Sequence, residues 1–418
     1  MNPAEQNALL LVGGGARAAY QVGVLRSLAK SFPELRFPIL TGVSAGAINV
    51  AMLANSPDEF PRATEHLVSL WENLTIDKVF RTQFRSLGSK FLRWMVRSAA
   101  GRAHRMPPIR EMVDTAPLRS LLQSTFNAPD GILHGIEANL RSGRLSAVGI
   151  TTTKYPSGQS TTWTQSLDEE SWHRVGRRGE PTTLTVEHVM ASSALPLIFP
   201  AAQLSDGWYG DGGIRLTAPL SPAVELGADR VLAISTLTAP GPIVSNTPFP
   251  NYPPAATILG VLLESIFLDM LDADATELRQ LNQLIADNPR SKEFGLRPVD
   301  VLVMRPSEDL RTLAHEFEPE LPKSLRHVFQ ALGSRESNRS DLIATLLFQP
   351  RYLKRVMEIG EKDGARRRDE LAVFFGFDGG ARRTKSASAI KHGGGNGHEG
   401  GAAIEQPVFS TARTGTDN

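Results

Sequence analysis

The stretch that decides the fold is Ala8-Leu9-Leu10-Leu11-Val12-Gly13-Gly14-Gly15-Ala16-Arg17, followed thirty residues on by Ile39-Leu40-Thr41-Gly42-Val43-Ser44-Ala45-Gly46. Ala8–Val12 is a short uninterrupted apolar run, the pattern of a strand covered on both faces. The three glycines form a turn that few other residues take easily. From Arg17 to Phe32, Val22, Leu25, Leu28 and Phe32 recur at helical spacing. Ile39–Val43 reads as a second strand and Ala45–Leu53 as a second helix. Strand–helix–strand–helix with short turns predicts an α/β domain, three layers deep, with a mostly parallel central sheet.

Outward from this unit the signals weaken. Glu59–Phe126 is helical in pattern and locally basic. Leu145–Thr153 and Thr161–Gln165 read as a β-hairpin with Tyr155-Pro156-Ser157-Gly158 near its turn. Val186–Ser193 reads as a short helix, Val231–Ser235 and Val299–Met304 as strands, Leu259–Ile285 as a long helix, and Ser324–Phe375 as two or three closing helices. Beyond Gly379 the chain is rich in Gly, Ser, Thr and Ala without periodicity, the composition of a disordered tail. The expected organisation is a catalytic core over 6–240 with an insertion at about 59–126, a helical extension with one further strand over 241–378, and a tail over 379–418.

The composition narrows the chemistry. With 41% hydrophobic and 21% charged residues, the 418-residue chain has the makeup of a globular protein with a sizeable core. The net charge of +1 gives no electrostatic footprint for nucleic acid. The absence of cysteine excludes disulfides, thiolate zinc sites and a cysteine nucleophile. The N-terminus carries Glu5 in place of a basic cluster, and Ala8–Val12 is too short for a signal-peptide core. Thr257–Leu271 is interrupted by Glu264 and Asp269 and falls short of the ~18 apolar residues of a membrane span. The expectation is a cytoplasmic protein.

Gly42-Val43-Ser44-Ala45-Gly46 is a G-x-S-x-G pattern placed between a strand and a helix. A serine on such a turn is strained and exposed, and the helix behind it aims free N–H groups and its positive dipole end at the hydroxyl. The Gly13–Gly15 loop occupies the same kind of turn one unit earlier, with amides suited to holding an oxyanion and Arg17 placed to brace it or add charge. A serine nucleophile needs a base. Of the nine histidines none sits in a motif-like setting, whereas Asp211, in Trp208-Tyr209-Gly210-Asp211-Gly212-Gly213, lies in a glycine-rich turn. Alone, that would be an ordinary Asp-Gly turn. A Ser44–Asp211 dyad accounts for the lack of a convincing histidine. Two rivals stay open: a Ser–Asp–His triad drawing on a late histidine such as His315 or His327, and a dinucleotide site, because Gly13-x-Gly15-x-x-Ala18 also fits G-x-G-x-x-G/A. Against the latter, the acidic residue of that fingerprint has no counterpart at the end of the second strand, which is occupied by Ser44.

Together, Gly13-Gly14-Gly15-Ala16-Arg17, Gly42-Val43-Ser44-Ala45-Gly46, Asp211-Gly212-Gly213 and the preceding Ala191-Ser192-Ser193-Ala194-Leu195-Pro196 with Phe199-Pro200 resemble the patatin-like phospholipase family over roughly Ala8–Ser235. The resemblance implies that Ser44 is the nucleophile and Asp211 its base, with Gly13, Gly14 and Gly15 as the oxyanion hole and Arg17, Gly42, Gly46, Gly212 and Gly213 in support. It implies lipid acyl-ester hydrolysis of the phospholipase A or lysophospholipase type, on phospholipid or lysophospholipid, without metal or cofactor. Ala18 departs from the family, where many members have glycine. The run from Lys78 to Arg110 mixes nine lysines and arginines with large apolar residues and no acid. It reads either as a segment resting transiently on an anionic membrane surface or as a lid helix packed on the domain.

Overall fold

Five consecutive buried residues are the signature of a strand with neighbours on both sides and cover on both faces, because alternate side chains point to opposite faces. Both opening strands meet it: β1 (Asn7–Leu11) is buried from Ala8 onward and β2 (Ile39–Val43) throughout. A computed structural model of the protein describes residues 6–82, 113–168, 170–196, 198–239, 270–322, 326 and 341–377. All the elements below lie in one compact unit, Met1–Phe375.

β1 runs parallel to β2, with Leu9 beside Leu40, and on its other side to β11 (Arg230–Ile234), with Leu9 beside Leu232. β11 is parallel to β12 (Asp300–Met304). Beyond β2 lies β5 (Ala147–Tyr155), again parallel, which turns back antiparallel into β6 (Gln159–Ser166). The sheet continues through β8 (Arg177–Pro181) to β7 (Trp172–Arg174), giving the order β12-β11-β1-β2-β5-β6-β8-β7. The α/β class with a mostly parallel central sheet is thus as the sequence predicts.

Helices α1 (Ala19–Ser31), α2 (Ala45–Asn55) and α3 (Phe60–Glu72) follow in order, then α4 (Ile76–Val79). A short ladder pairs β3 (Arg81–Thr82) with β4 (Val113–Asp114). Next come α5 (Ala116–Thr125), α6 (His134–Arg141), α7 (Val186–Ser192) and α8 (Ser221–Glu225). The C-terminal part adds α9 (Met270–Asp287), α10 (Leu310–Phe317), α11 (Asp341–Leu346), α12 (Pro350–Arg366) and α13 (Arg368–Phe375). α12 lies against α1, where the Tyr20 hydroxyl reaches Asp363 at 3.3 Å. No described helix is long and apolar enough to cross a membrane.

Several expectations shift. The first turn assigned to α1 is a 3-10 turn, Gly15–Ala18, in which the Arg17 amide donates to the Gly14 carbonyl at 3.2 Å; the α-helix starts at Ala19. The hairpin strands extend to Tyr155 and Ser166. Asp211, read as part of a turn, ends a strand, β10 (Gly207–Asp211), which pairs with β9 (Ala202–Leu204). These strands, like β7 and β8, are short and lack an apolar alternation, so sequence pattern does not reveal them. Of the expected helix Leu259–Ile285 the described part begins at Met270. Most of the basic run Lys78–Arg110, residues 83–110, lies outside the described residues, as do 327–340 and the expected tail 379–418.

Candidate active site

Strand β5 brings Ser44 and Asp211 together. β2 runs parallel along the first half of β5 and stops with Val43 beside Thr151. β10 approaches antiparallel along the second half of the same edge and stops with Asp211 beside Thr152. Two strands from distant parts of the chain therefore end head to head on one rail. The residue after β2 is Ser44, and its Oγ–H donates to Oδ2 of Asp211 at 2.7 Å.

Ser44 sits in the left-handed half of conformational space, φ 56° and ψ −131°, a strained setting for a residue with a Cβ. Such a backbone holds only where the surroundings fix it. Here they do so from both sides. The Ser44 amide donates to Oγ of Ser192 at 2.9 Å, and Ser192 donates in turn to the Thr151 carbonyl at 2.7 Å. Oγ of Ser193 donates to the Ser44 carbonyl at 3.1 Å. Ahead of the turn Gly42 pairs with Leu11; behind it Gly46 lets α2 approach β1, because a Cβ there would stand 2.1 Å from the Leu11 carbonyl oxygen.

Asp211 is fully buried, and Ser44 is 5% exposed. Burial pushes the Asp211 carboxyl up to about 7; the bonds from Ser44 and from the Gly213 amide, 2.8 Å from Oδ1, pull the other way without cancelling it. Gly212 and Gly213 open the 3-10 turn after β10, which places that amide. The Thr153 hydroxyl donates to the Asp211 carbonyl at 2.9 Å. The result is a carboxylate aimed at a serine hydroxyl, out of water, with a proton affinity near neutrality. Such a group is suited to general-base work.

The glycine loop lies at the other wall. Gly15 has φ 56°, and a Cβ on it would meet the Thr345 carbonyl oxygen at 2.2 Å, so the position admits only glycine. The Gly13 carbonyl accepts from the Thr236 hydroxyl at 2.8 Å, and Gly14 packs against the same threonine. Arg17, expected to brace the loop or add charge, is wholly buried; its Nε donates to the Gly14 carbonyl at 3.3 Å and its Nη2 to Oγ1 of Thr345 at 3.4 Å.

Gly15 and Ser44 both border one cleft, about 630 Å³ when the solvent open to it is counted. Its other walls are apolar: Ile48 from α2, Leu70 and Trp71 from α3, Leu118, Leu121 and Leu122 from α5, Leu346 at the end of α11 and Phe348 just after it. A second cavity of about 660 Å³ shares Leu118, Ser193 and Phe199 with the first, but adds Asp114, Thr115 and Arg119. Arg119 there forms a two-pronged pair with Glu187, at 2.7 and 2.9 Å.

Four of the five described histidines have polar partners of their own. His188 accepts from the Thr185 amide at 3.1 Å, capping α7, lies on Trp163, and is lowered to about 4 by burial. His66 lies by Asp58, His134 by Asp130 and His315 by Glu318, while His173 is exposed on β7. Sequence reading quoted Ser192 and Ser193 without assigning them a part, and missed Thr236, Thr345, Leu346 and Phe348. The last three lie in a stretch whose letters carry no motif.

No curated protein matches the chain. Among solved structures, VipD from Legionella pneumophila is similar with a TM-score of 0.39 and 13% identity, over 88% of this chain and 67% of that one. Human GIVD cytosolic phospholipase A2, solved with methyl gamma-linolenyl fluorophosphonate, is similar with a TM-score of 0.44 and 12% identity, over 90% of this chain. The similarity spans 59% of the human chain's length. The family described as patatin-like phospholipase matches residues 9–224, just over half of the chain, a span that holds the glycine loop, Ser44 and Asp211. By that match the chain belongs to the patatin-like phospholipase family.

Proposed function

We propose that this protein is a lipid acyl hydrolase of the phospholipase A or lysophospholipase type, working through a Ser44–Asp211 dyad. The observation that carries the reading is the 2.7 Å hydrogen bond from the Ser44 hydroxyl, which borders an apolar cleft, to a fully buried carboxylate. Family membership supports a lipid ester as substrate. The two adjoining cavities, one apolar and one edged by Asp114 and Arg119, suit a molecule with an acyl chain and a polar remainder.

In the first step Oγ of Ser44 attacks the ester carbonyl as its proton passes to Oδ2 of Asp211. The carbonyl π electrons move onto the oxygen, and the amides of the Gly13–Gly15 loop receive the resulting oxyanion; a single such donor contributes about 3 kcal/mol. Collapse breaks the bond to the alcohol oxygen, which leaves with the proton from Asp211, and the acyl group remains on Ser44. Water then attacks the acyl-enzyme, giving a proton to Asp211. Collapse of this second intermediate releases the fatty acid and returns the proton to Ser44. The carboxylate gains and loses one proton in each half, a task for which a value near 7 is well matched.

The test is fatty-acid release from mixed phospholipid vesicles and from a p-nitrophenyl ester, by wild type, Ser44→Ala and Asp211→Asn. The expected result is release by wild type and a loss of about a thousandfold or more in each folded variant. Retained activity in Asp211→Asn would return the base to a histidine. An inert wild type that binds NAD or FAD would favour the dinucleotide reading.

A further inference from the structure

The family match ends at residue 224, yet the cleft at Ser44 is closed in part by residues more than a hundred positions later. Helix α11 ends at Leu346, and the chain then makes two consecutive tight turns: the Phe348 amide donates to the Leu346 carbonyl and the Gln349 amide to the Leu347 carbonyl, each at 2.9 Å. Turns of this kind bond each residue to the second one before it, so alternate side chains share a side. Leu346 and Phe348 accordingly line the cleft, while Leu347 between them is wholly buried in the core.

This wall is tied to the reacting end. Thr345, the residue before it, has its carbonyl oxygen against Gly15 and its Oγ1 bonded to buried Arg17. Ile343 is fully buried on one side of the segment, and Tyr352, on α12, donates from its hydroxyl to the Leu310 carbonyl at 3.1 Å on the other. Leu346 and Phe348 themselves are 5% and 7% exposed. A bulky apolar wall anchored at both ends and fixed to the oxyanion loop has a set distance from Ser44 and little freedom to retreat.

We propose that Leu346 and Phe348 determine the acyl-chain length the site accepts, with Thr345 as the positioning residue that fixes this wall relative to the glycine loop. The proposal rests on the acyl-hydrolase reading above and adds to it a specificity element outside the family-matched region. Each methylene that gains or loses apolar cover changes kcat/KM about fourfold, so a wall residue that admits two more methylenes shifts the preference between adjacent even-numbered chains by roughly tenfold or more.

The experiment measures kcat and KM over a series of p-nitrophenyl esters from C4 to C18, for wild type, Leu346→Ala, Phe348→Ala and Phe348→Trp, with Ser44→Ala as the blank. The alanine variants should move the preferred chain to greater length and the tryptophan variant to shorter length, read as the ratio of kcat/KM between adjacent chains within each variant. Should an alanine variant fail to fold by circular dichroism, Phe348→Leu and Leu346→Val supply the same comparison in smaller steps. An unchanged chain-length profile in folded variants overturns the proposal while leaving the hydrolase reading intact. A wild type no more active than Ser44→Ala on every ester sinks both.

Discussion

Replacing Asp211 with asparagine should stabilise the protein, and should do so only where the carboxyl would be ionised. In the fold the group is held at about 7 by burial, against its ordinary value of 3.8. Ionised Asp211 is therefore about 4 kcal/mol harder to hold in the folded protein than in the unfolded chain. Because the folded value is raised, the folded protein binds more protons than the unfolded chain between those two values. Stability must then fall as pH rises through that window and level off above about 7. Asparagine matches the carboxylate in shape, its amide oxygen can still accept from the Gly213 amide, and it carries no titration. Its advantage over wild type should be smallest near pH 4 and grow by about 3 kcal/mol between pH 5 and 8.5. With an m-value near 3 kcal/mol/M for a chain of this size, the gap between the two urea midpoints should widen by about 1 M across that range. Pairwise urea titrations of wild type and variant at pH 5, 7 and 8.5 provide the measurement. Any interaction of the side chain that does not involve its charge contributes equally at each pH, so the slope alone decides. A gap that stays level or narrows with rising pH would refute the claim that burial raises this carboxyl.

The same carboxyl should govern the rate. With Asp211 as base, kcat/KM for a non-ionising ester should rise tenfold per pH unit and bend over at about pH 7; a midpoint near pH 4 would mean that the base is in water or is another residue. The backbone at Ser44 makes a separate prediction, because at φ 56° glycine is relaxed and alanine is not. Both Ser44→Gly and Ser44→Ala lose the hydroxyl, so their difference in thermal unfolding isolates the strain: the glycine variant should be the more stable by about 1–3 kcal/mol, and equal stabilities would place the strain elsewhere.

The parts of this molecule that were legible in the sequence are those whose residues are contiguous. β1, the glycine loop, α1, β2, Ser44 and α2 follow one another within fifty residues, and each signals its type by an apolar run, a glycine turn or a helical period. Nothing in that run states that Asp211 faces Ser44. Their meeting depends on β2 and β10 sharing one edge of β5, end to end, and sheet order is written in the packing of whole strands. β10 itself has no readable pattern: Trp208 is half exposed, Tyr209 is buried, and Gly210 and Asp211 look like a turn. The pair is legible only as motifs in company, a serine that needs a base and a glycine-flanked aspartate where no histidine fits, with the family resemblance added to that; the geometry supplies the reason those motifs lie together.

The wall formed by Leu346 and Phe348 is illegible for a different reason. A side chain that faces a core and one that faces an acyl cleft are chosen by the same property, exclusion of water, so Ile343, Leu346, Leu347 and Phe348 read as one apolar stretch. Polar chemistry announces itself because a buried hydroxyl or carboxylate needs a partner, and the need for a partner leaves a trace in the neighbouring residues. An apolar specificity surface makes no such demand. What separates the two kinds of leucine here is the pair of tight turns after α11, which sends Leu347 inward and its neighbours to the cleft. A leucine inserted between Leu347 and Phe348 would leave the stretch uniformly apolar yet move Phe348 from the cleft side to the core side. Which apolar residues of this segment face the cleft is thus a matter of register, and register is set by the backbone that Thr345 fastens to the glycine loop.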